Sequence, residues 1–307
     1  MLVFGTHDDA TRAQLAKVAE RARKVALMAD GHVGYVMPIG GVAAYDTQVS
    51  VVGVGFDIAP TDHTLFEDAV WGAVPPKHRQ ALSTKARQQL GTVGSGNHYV
   101  DVFADESGAL WVGVHFGSRG FGHTVASSFL ALLQGKSWGE HAPEREVLLP
   151  LDQPLGYDYW QLMALAGRYA YAGREWVARK VVSLLGGQEL ELVHNHHNFA
   201  WKETHEGEEL VVVRKGATPA FPGQPGFIGG SMGDDAVIVK GTASADSAVT
   251  ALQERALYST VHGAGRVMSR YRRLPEMLAA QGATIEVQHT LRPLIVVMAG
   301  PNELDPY

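Results

Sequence analysis

The polar and apolar positions of the chain alternate in several distinct rhythms, and each rhythm predicts an element. From Thr11 to Met28 the apolar residues Leu15, Val18, Ala19, Ala22 and Ala26 recur at helical spacing between Arg, Lys and Glu, so the spacing predicts one amphipathic helix ending before Asp30-Gly31-His32. The run Gln48–Ile58 is continuous and rich in β-branched residues, as expected of a buried strand that delivers Asp57 at its end. Leu110–His115, Glu189–His194, Glu209–Arg214, Ala236–Val239 and Leu294–Met298 read as further strands. Tyr159–Leu185, closed by Gly186-Gly187, and Ala245–Leu257 read as helices. Strands and helices alternate too irregularly for a doubly wound sheet, so the expected class is α+β. No repeat and no Pro/Ser-rich linker divides the sequence, and a single large domain over 1–307 is the expectation.

Composition sharpens this picture at three points. Hydrophobic residues make up 46% and charged residues 19% of 307, a balance that allows a sizeable core. The formal charge of -6 excludes a chain whose whole surface tracks nucleic acid, although Arg266, Arg270, Arg272 and Arg273 form a local basic cluster. There is no cysteine, so any metal must be held by nitrogen and oxygen. The start carries no basic segment followed by an apolar run, and no stretch reaches the roughly 18 apolar residues of a membrane span. A cytoplasmic protein with no membrane partner is expected.

Histidines cluster at glycine turns and predicted strand ends: Asn97-His98 after GTVGSG, His115 before FGSRG, and His194-Asn195-His196-His197-Asn198 after QELELV. Such positions present side chains to ligands, and neutral imidazoles with a carboxylate such as Asp57 suit Mn, Fe or Zn. Any one of these histidines alone reads as an ordinary hydrogen-bonding loop residue; together they favour one or two metal ions. Arg214-Lys215-Gly216-Ala217-Thr218 and Gly229-Gly230-Ser231-Met232-Gly233 place glycine turns where an anion could sit, the first beside two cations. Neither fits the GxxxxGK[ST] phosphate loop. In His262-Gly263-Ala264-Gly265-Arg266 an open imidazole precedes an arginine by four positions. It suits either a covalent nucleophile facing a phosphoryl group or a tightly packed helix start, and spacing does not choose.

The strings DGHVGYVMPIGG, GVGFDIA, GTVGSGNHYVDV, HFGSRG, HHN, RKGAT, GSMG and HGAGRVMSR, in this order from about Asp30 to Arg270, resemble the RtcB family of RNA ligases, as does the ending TLRPLIVVMAG. The resemblance implies a single mixed α/β domain with a central metal and guanylate site. It implies a GTP- and Mn²⁺-dependent enzyme, with two metal ions, that joins RNA ends bearing a 2′,3′-cyclic phosphate or 3′-phosphate to a 5′-hydroxyl in RNA repair or tRNA splicing. By the same resemblance His262 becomes guanylylated. Asp57, His98, His115 and His197 are metal ligands. Asn97, Asp101, Arg119, His196, Asn198, Lys215, Ser231 and Gly263 meet guanylate, phosphate or RNA ends, with Ala264, Gly265 and Arg266 completing the loop beside His262 and Arg266 joining Arg119 on phosphate. A monomer is the expected state, with an activating protein as a candidate partner.

Four departures qualify the resemblance. The family's Asp-x-x-Cys-Gly reads Asp57-Ile58-Ala59-Pro60 here, so the thiolate that bridges the metals is absent; Asp101 replaces a common Glu; and Ala299 stands where the family's guanine-reading Lys is expected. Family sequence is also missing near 59/60 and near 270/271. Either this is a divergent member or stretches containing the cysteine are left out, and the retention of every other motif favours the second. A metal-dependent phosphoesterase and a catalytically silent RNA-end-binding protein are the competing readings.

Overall fold

A computed structural model of the chain describes residues 1–51, 64–94, 96, 98–230, 233–263 and 274–298. In chain order the strands are β1 (Leu2–Val3), β2 (Lys24–His32), β3 (Ile39–Tyr45), β4 (Gln48–Ser50), β5 (Tyr99–Ala104), β6 (Leu110–His115), β7 (Leu148–Pro150), β8 (Asn198–His205), β9 (Glu208–Lys215), β10 (Ala217–Pro219), β11 (Pro225–Ile228), β12 (Ala236–Gly241), β13 (Ser259–Val261) and β14 (Ile285–Met298). The helices are α1 (Asp9–Ala19), α2 (Thr64–Glu67), α3 (Pro76–Gln89), α4 (Arg119–Leu132), α5 (Pro154–Leu184), α6 (Ser247–Arg255) and α7 (Leu274–Gln281). The class is mixed α/β, as expected. None of these helices is long and apolar enough to cross a membrane.

The chain clusters into two compact units built from alternating stretches: Met1–Gly55, Ala104–Ala109 and Val193–Pro293 in the first, Phe56–Phe103, Leu110–Leu192 and Leu294–Tyr307 in the second. In the first unit a sheet runs in the order β1-β2-β3-β9-β8, with β1 parallel to β2 and the remaining neighbours antiparallel. Ala26, Met28, Val42, Ala44 and Val212 face a core completed by Val261 of β13 and by Leu274 and Met277 of α7. Helix α1 is started by Asp8, whose carboxylate accepts from Thr11 N at 2.7 Å, and it buries Thr11, Leu15 and Val18. The same unit holds the β10-β13 pair and the order β11-β12-β14.

The second unit packs α3 and α5 against α4 and carries the order β14-β5-β6. Its core is aromatic. Trp71 stacks on Phe121 at 5.0 Å, Phe121 meets the edge of Tyr169 at 5.4 Å, and the Tyr169 hydroxyl donates to Ala86 O at 2.6 Å.

Several expectations hold closely: Leu110–His115 is β6, Glu209–Arg214 lies within β9, Tyr159–Leu185 is most of α5, and Leu294–Met298 ends β14. Two are corrected. The helix over Thr11–Met28 stops at Ala19, and Lys24–His32 is a strand whose seven inner residues are all buried, so both faces are apolar and no alternation marks it. Glu189–His194 forms no strand: Glu189–Leu192 is exposed, with Leu190 at 93%, and pairs with no strand among the described residues. Of Gln48–Ile58, β4 covers Gln48–Ser50, while 52–58 lie outside the described residues.

Candidate functional site: a carboxylate-held histidine

Four strand ends of the first unit meet around His262. Strand β2 supplies Asp30, in the stretch between Leu27 and His32 where its pairing with β3 loses register. The Asp30 side chain there is buried, at 3% exposed. Its Oδ2 accepts three hydrogen bonds, from His262 Nδ1 at 2.8 Å, His262 N at 3.1 Å and Gly263 N at 3.3 Å. A carboxylate accepts this bond, so Nδ1 of His262 is the donor, and in the neutral imidazole the lone pair is on Nε2. Gly40, at φ +78, leaves room for this carboxylate: a Cβ there would come within 3.1 Å of Asp30 Oδ1 and 2.8 Å of Gly31 Cα.

Strand β9 brings in Lys215, registered between Gly41 of β3 and Asn198 of β8. Lys215 is 7% exposed, and its Nζ lies 5.6 Å from the centre of the Tyr35 ring. The chain then turns at Gly216 (φ +63), whose N–H donates to Asn198 Oδ1 at 2.7 Å. A Cβ at Gly216 would sit 2.4 Å from Ile39 Cγ2 and 3.1 Å from His262 Cε1, so glycine alone lets the turn approach the imidazole. His197, just before β8, stacks its ring on His262 at 4.9 Å and 24°, and its carbonyl accepts from Ala217 N. His196 is buried against Phe199, ring on ring at 4.8 Å.

In the second unit, β5, β6 and the start of α4 gather the other expected residues. The His98 and His115 ring centres are 6.2 Å apart, and His115 stacks on Tyr99 at 5.3 Å. Arg119 is 6% exposed, adopts φ +56, donates from Nε to Thr92 Oγ1 at 3.2 Å and sets Nη1 3.3 Å from His98 Nδ1. Gly94 makes this possible, since a Cβ there would fall inside the guanidinium. Asp101 Oδ1 accepts from Val297 N at 3.1 Å, a bond that fastens the end of β14.

The structure thus brings His262, His197, Asn198 and Lys215 together in one unit, and His98, His115 and Arg119 together in the other. Asp57, Asn97, Ser231, Ala264, Gly265, Arg266 and Ala299 lie outside the described residues. Among the described residues no three His, Asp or Glu side chains form a metal-binding group. Two imidazoles side by side, His98 and His115, fit the start of a nitrogen–oxygen site, and the carboxylate expected with them is Asp57. Asp30 was not singled out from sequence, because 232 residues separate it from His262; only its place in the string DGHVGYVMPIGG pointed to it.

The fold and this site define an α/β protein with a carboxylate-oriented histidine beside a buried lysine and a glycine turn. Comparison with known proteins gives the family. The family model described as "tRNA-splicing ligase RtcB" matches residues 12–64 and 59–292, and the chain belongs to that family. It is 32% identical to the tRNA-splicing ligase RtcB of Archaeoglobus fulgidus over 80% of this chain and 73% of that protein, and 31% identical to the RNA-splicing ligase RtcB of Escherichia coli K12 over 72% and 64%. The chain therefore spans just under two thirds of the E. coli protein. With the tRNA-splicing ligase RtcB of Aeropyrum pernix (28% identity, 94% and 84% covered) the alignment runs over 414 residues, more than this chain contains, so that relative carries internal sequence that this chain lacks.

Proposed function

We propose that the protein is an RNA ligase that takes guanylate from GTP onto His262 and uses it to join an RNA 3′-phosphate, or a 2′,3′-cyclic phosphate after hydrolysis, to a 5′-hydroxyl, in RNA repair or tRNA splicing. The observation that carries this reading is the hydrogen bond from His262 Nδ1 to Asp30. A bare imidazole distributes its proton between two nitrogens; here the buried carboxylate holds it on Nδ1 and commits Nε2 to attack.

In the first step Nε2 forms a bond to the α-phosphorus of GTP as the bond to pyrophosphate breaks. The ring becomes cationic, and the Asp30 charge 2.8 Å away stabilises it. The proton kept on Nδ1 also makes the histidine a good leaving group in the second step, when an RNA 3′-phosphate oxygen takes the guanylate. The activated phosphorus is then attacked by the 5′-hydroxyl and GMP departs. Lys215 beside the Gly216 turn supplies positive charge for the nucleotide phosphates, and Arg119 suits an RNA-end phosphate. Asn198 holds the Gly216 turn in place. Divalent cations, Mn²⁺ by the resemblance, would be held by Asp57, His98 and His115 in the second unit and by His197 in the first, and would neutralise phosphate charge.

The test is incubation with Mn²⁺ and α-labelled GTP, followed by denaturing electrophoresis. An acid-labile, alkali-stable label on the wild type, absent from His262→Ala, is expected. No label on a metal-loaded wild type overturns guanylyl transfer and moves a phosphoesterase or a silent RNA-end binder ahead.

A further inference from the structure

Tyr35 lies on the loop between β2 and β3 and is 81% exposed, with Val33 beside it at 46%. Large exposed aromatics usually sit on mobile tips, but this loop is braced. Gln14 of α1 donates from Nε2 to Gly34 O at 2.8 Å and to Tyr35 O at 3.0 Å, and its Oε1 accepts from Gly34 N at 3.0 Å. Two residues on, Met37 is fully buried. Gly34 keeps the turn tight, since a Cβ there would lie 2.3 Å from Met37 O. The loop therefore fixes its backbone at two points and still holds an aromatic ring out in solvent, where it contributes little to folding.

What the ring faces identifies its ligand. Lys215 Nζ stands 5.6 Å from the ring centre, and Lys215 leads directly into Gly216, whose ideal Cβ position is 3.1 Å from the His262 imidazole. A rigid aromatic face, a cation and a candidate phosphoryl-accepting histidine are thus strung along one short path. A nucleotide has the matching order: a flat base, then phosphate.

We propose that Tyr35 is a stacking platform for a nucleobase, held out by the Gln14 brace so that the phosphate attached to that base reaches Lys215 and His262. The proposal rests on the guanylyl-transfer reading above. The base belongs either to the guanine nucleotide or to an RNA end, and every nucleobase offers the same π-face.

The experiment uses the full chain with Tyr35→Ala and Tyr35→Phe. It measures two quantities: the GTP concentration for half-maximal labelling of His262, and the dissociation constant for a labelled RNA oligonucleotide ending in a 3′-phosphate. Thermal unfolding of both variants should match the wild type, because the ring is exposed. Tyr35→Ala should weaken one of the two by about tenfold or more, and Tyr35→Phe should restore it. A rise in the GTP requirement alone identifies the stacked base as guanine; a loss of RNA affinity alone identifies it as the RNA end. No change in either quantity overturns the platform, as does a loss in Tyr35→Phe equal to that in Tyr35→Ala, which would assign the effect to the hydroxyl. A wild type that neither takes label nor binds the oligonucleotide overturns the guanylyl-transfer reading and this proposal with it, whereas a labelled wild type with an indifferent Tyr35→Ala overturns only the platform.

Discussion

At the scale of single residues, the proposed chemistry depends on one carboxylate doing two jobs. Asp30 Oδ2 binds two backbone N–H groups, which fixes where His262 starts, and the imidazole Nδ1, which fixes its tautomer. Asp30→Asn separates these jobs. An amide oxygen can still accept from the two N–H groups, so the fold should survive with little change in Tm, but the negative charge that stabilises the cationic ring is gone. The rate of His262 labelling by GTP should fall by roughly 10²- to 10⁴-fold, as found where a carboxylate behind a catalytic histidine is neutralised. Labelling at the wild-type rate would reduce Asp30 to a backbone anchor. The histidine stood out in the sequence because small residues flank it, but spacing left a nucleophile and a packed helix start equally open, and its role came only from the family resemblance. Its partner did not stand out, since nothing local links an aspartate in a strand-end motif to an imidazole far down the chain.

At the scale of elements, β13 has to place His262 accurately although it is only three residues long. It follows Leu257 and Tyr258, both left-handed at φ +52 and +45, a conformation that costs about 1–2 kcal/mol per residue without glycine. A buried arginine clamps this turn. Arg214 of β9 donates to Leu257 O at 2.8 Å and to Ser259 Oγ at 2.8 Å, and it pairs with both oxygens of Glu203 on β8 at 2.6 and 3.1 Å. His205 Nε2 lies 2.8 Å from the same carboxylate. Burial alone would push the Glu203 pKa up, but the Arg214 charge and the hydrogen bonds from His205 and Arg214 outweigh it and hold the pKa below its ordinary 4.5. A carboxyl whose pKa is lower folded than unfolded stabilises the fold above about pH 4.5, and that contribution is lost as pH falls through the lowered value. Glu203→Gln should therefore be less stable at pH 7 by about 3–5 kcal/mol, because Arg214 is left buried without a counter-charge. It should also show a shallower fall in stability between pH 5 and 3 in urea unfolding; equal stability and equal slope would count against the clamp. Element boundaries were legible where an apolar run is bounded by turns, as in β6 and β9. They were not where a strand is buried on both faces, as in β2, which continues the apolar pattern of α1, nor where alternating residues such as Glu189–Leu192 pair with no strand among the described residues.

At the scale of the whole molecule, sequence carried no linker signal because the two units are not consecutive. The chain leaves the first unit, returns for Ala104–Ala109, returns again for Val193–Pro293, and ends in the second, and one crossing, at Pro293/Leu294, falls in the middle of β14, where no change of composition marks it. Charge is the other property of the whole chain that bears on function. A net -6 repels a polyanion at long range, so RNA must be held by a few cations at defined positions, and the described candidates, Lys215 and Arg119, are both buried. Such a protein should read an end and not a backbone. Each single-stranded phosphate neutralised contributes a slope of about -0.7 to the log–log dependence of affinity on salt. Contact with two or three phosphates predicts a total slope of about -1.4 to -2.1, or roughly a 7- to 18-fold loss of affinity between 50 and 200 mM salt. Titration of a 3′-phosphate oligonucleotide against salt measures this directly, and the same oligonucleotide with a 3′-hydroxyl should bind distinctly less well. A slope several times steeper, with both oligonucleotides bound alike, would mean that the protein tracks the backbone and that its specificity for ends arises only in the chemical steps at His262.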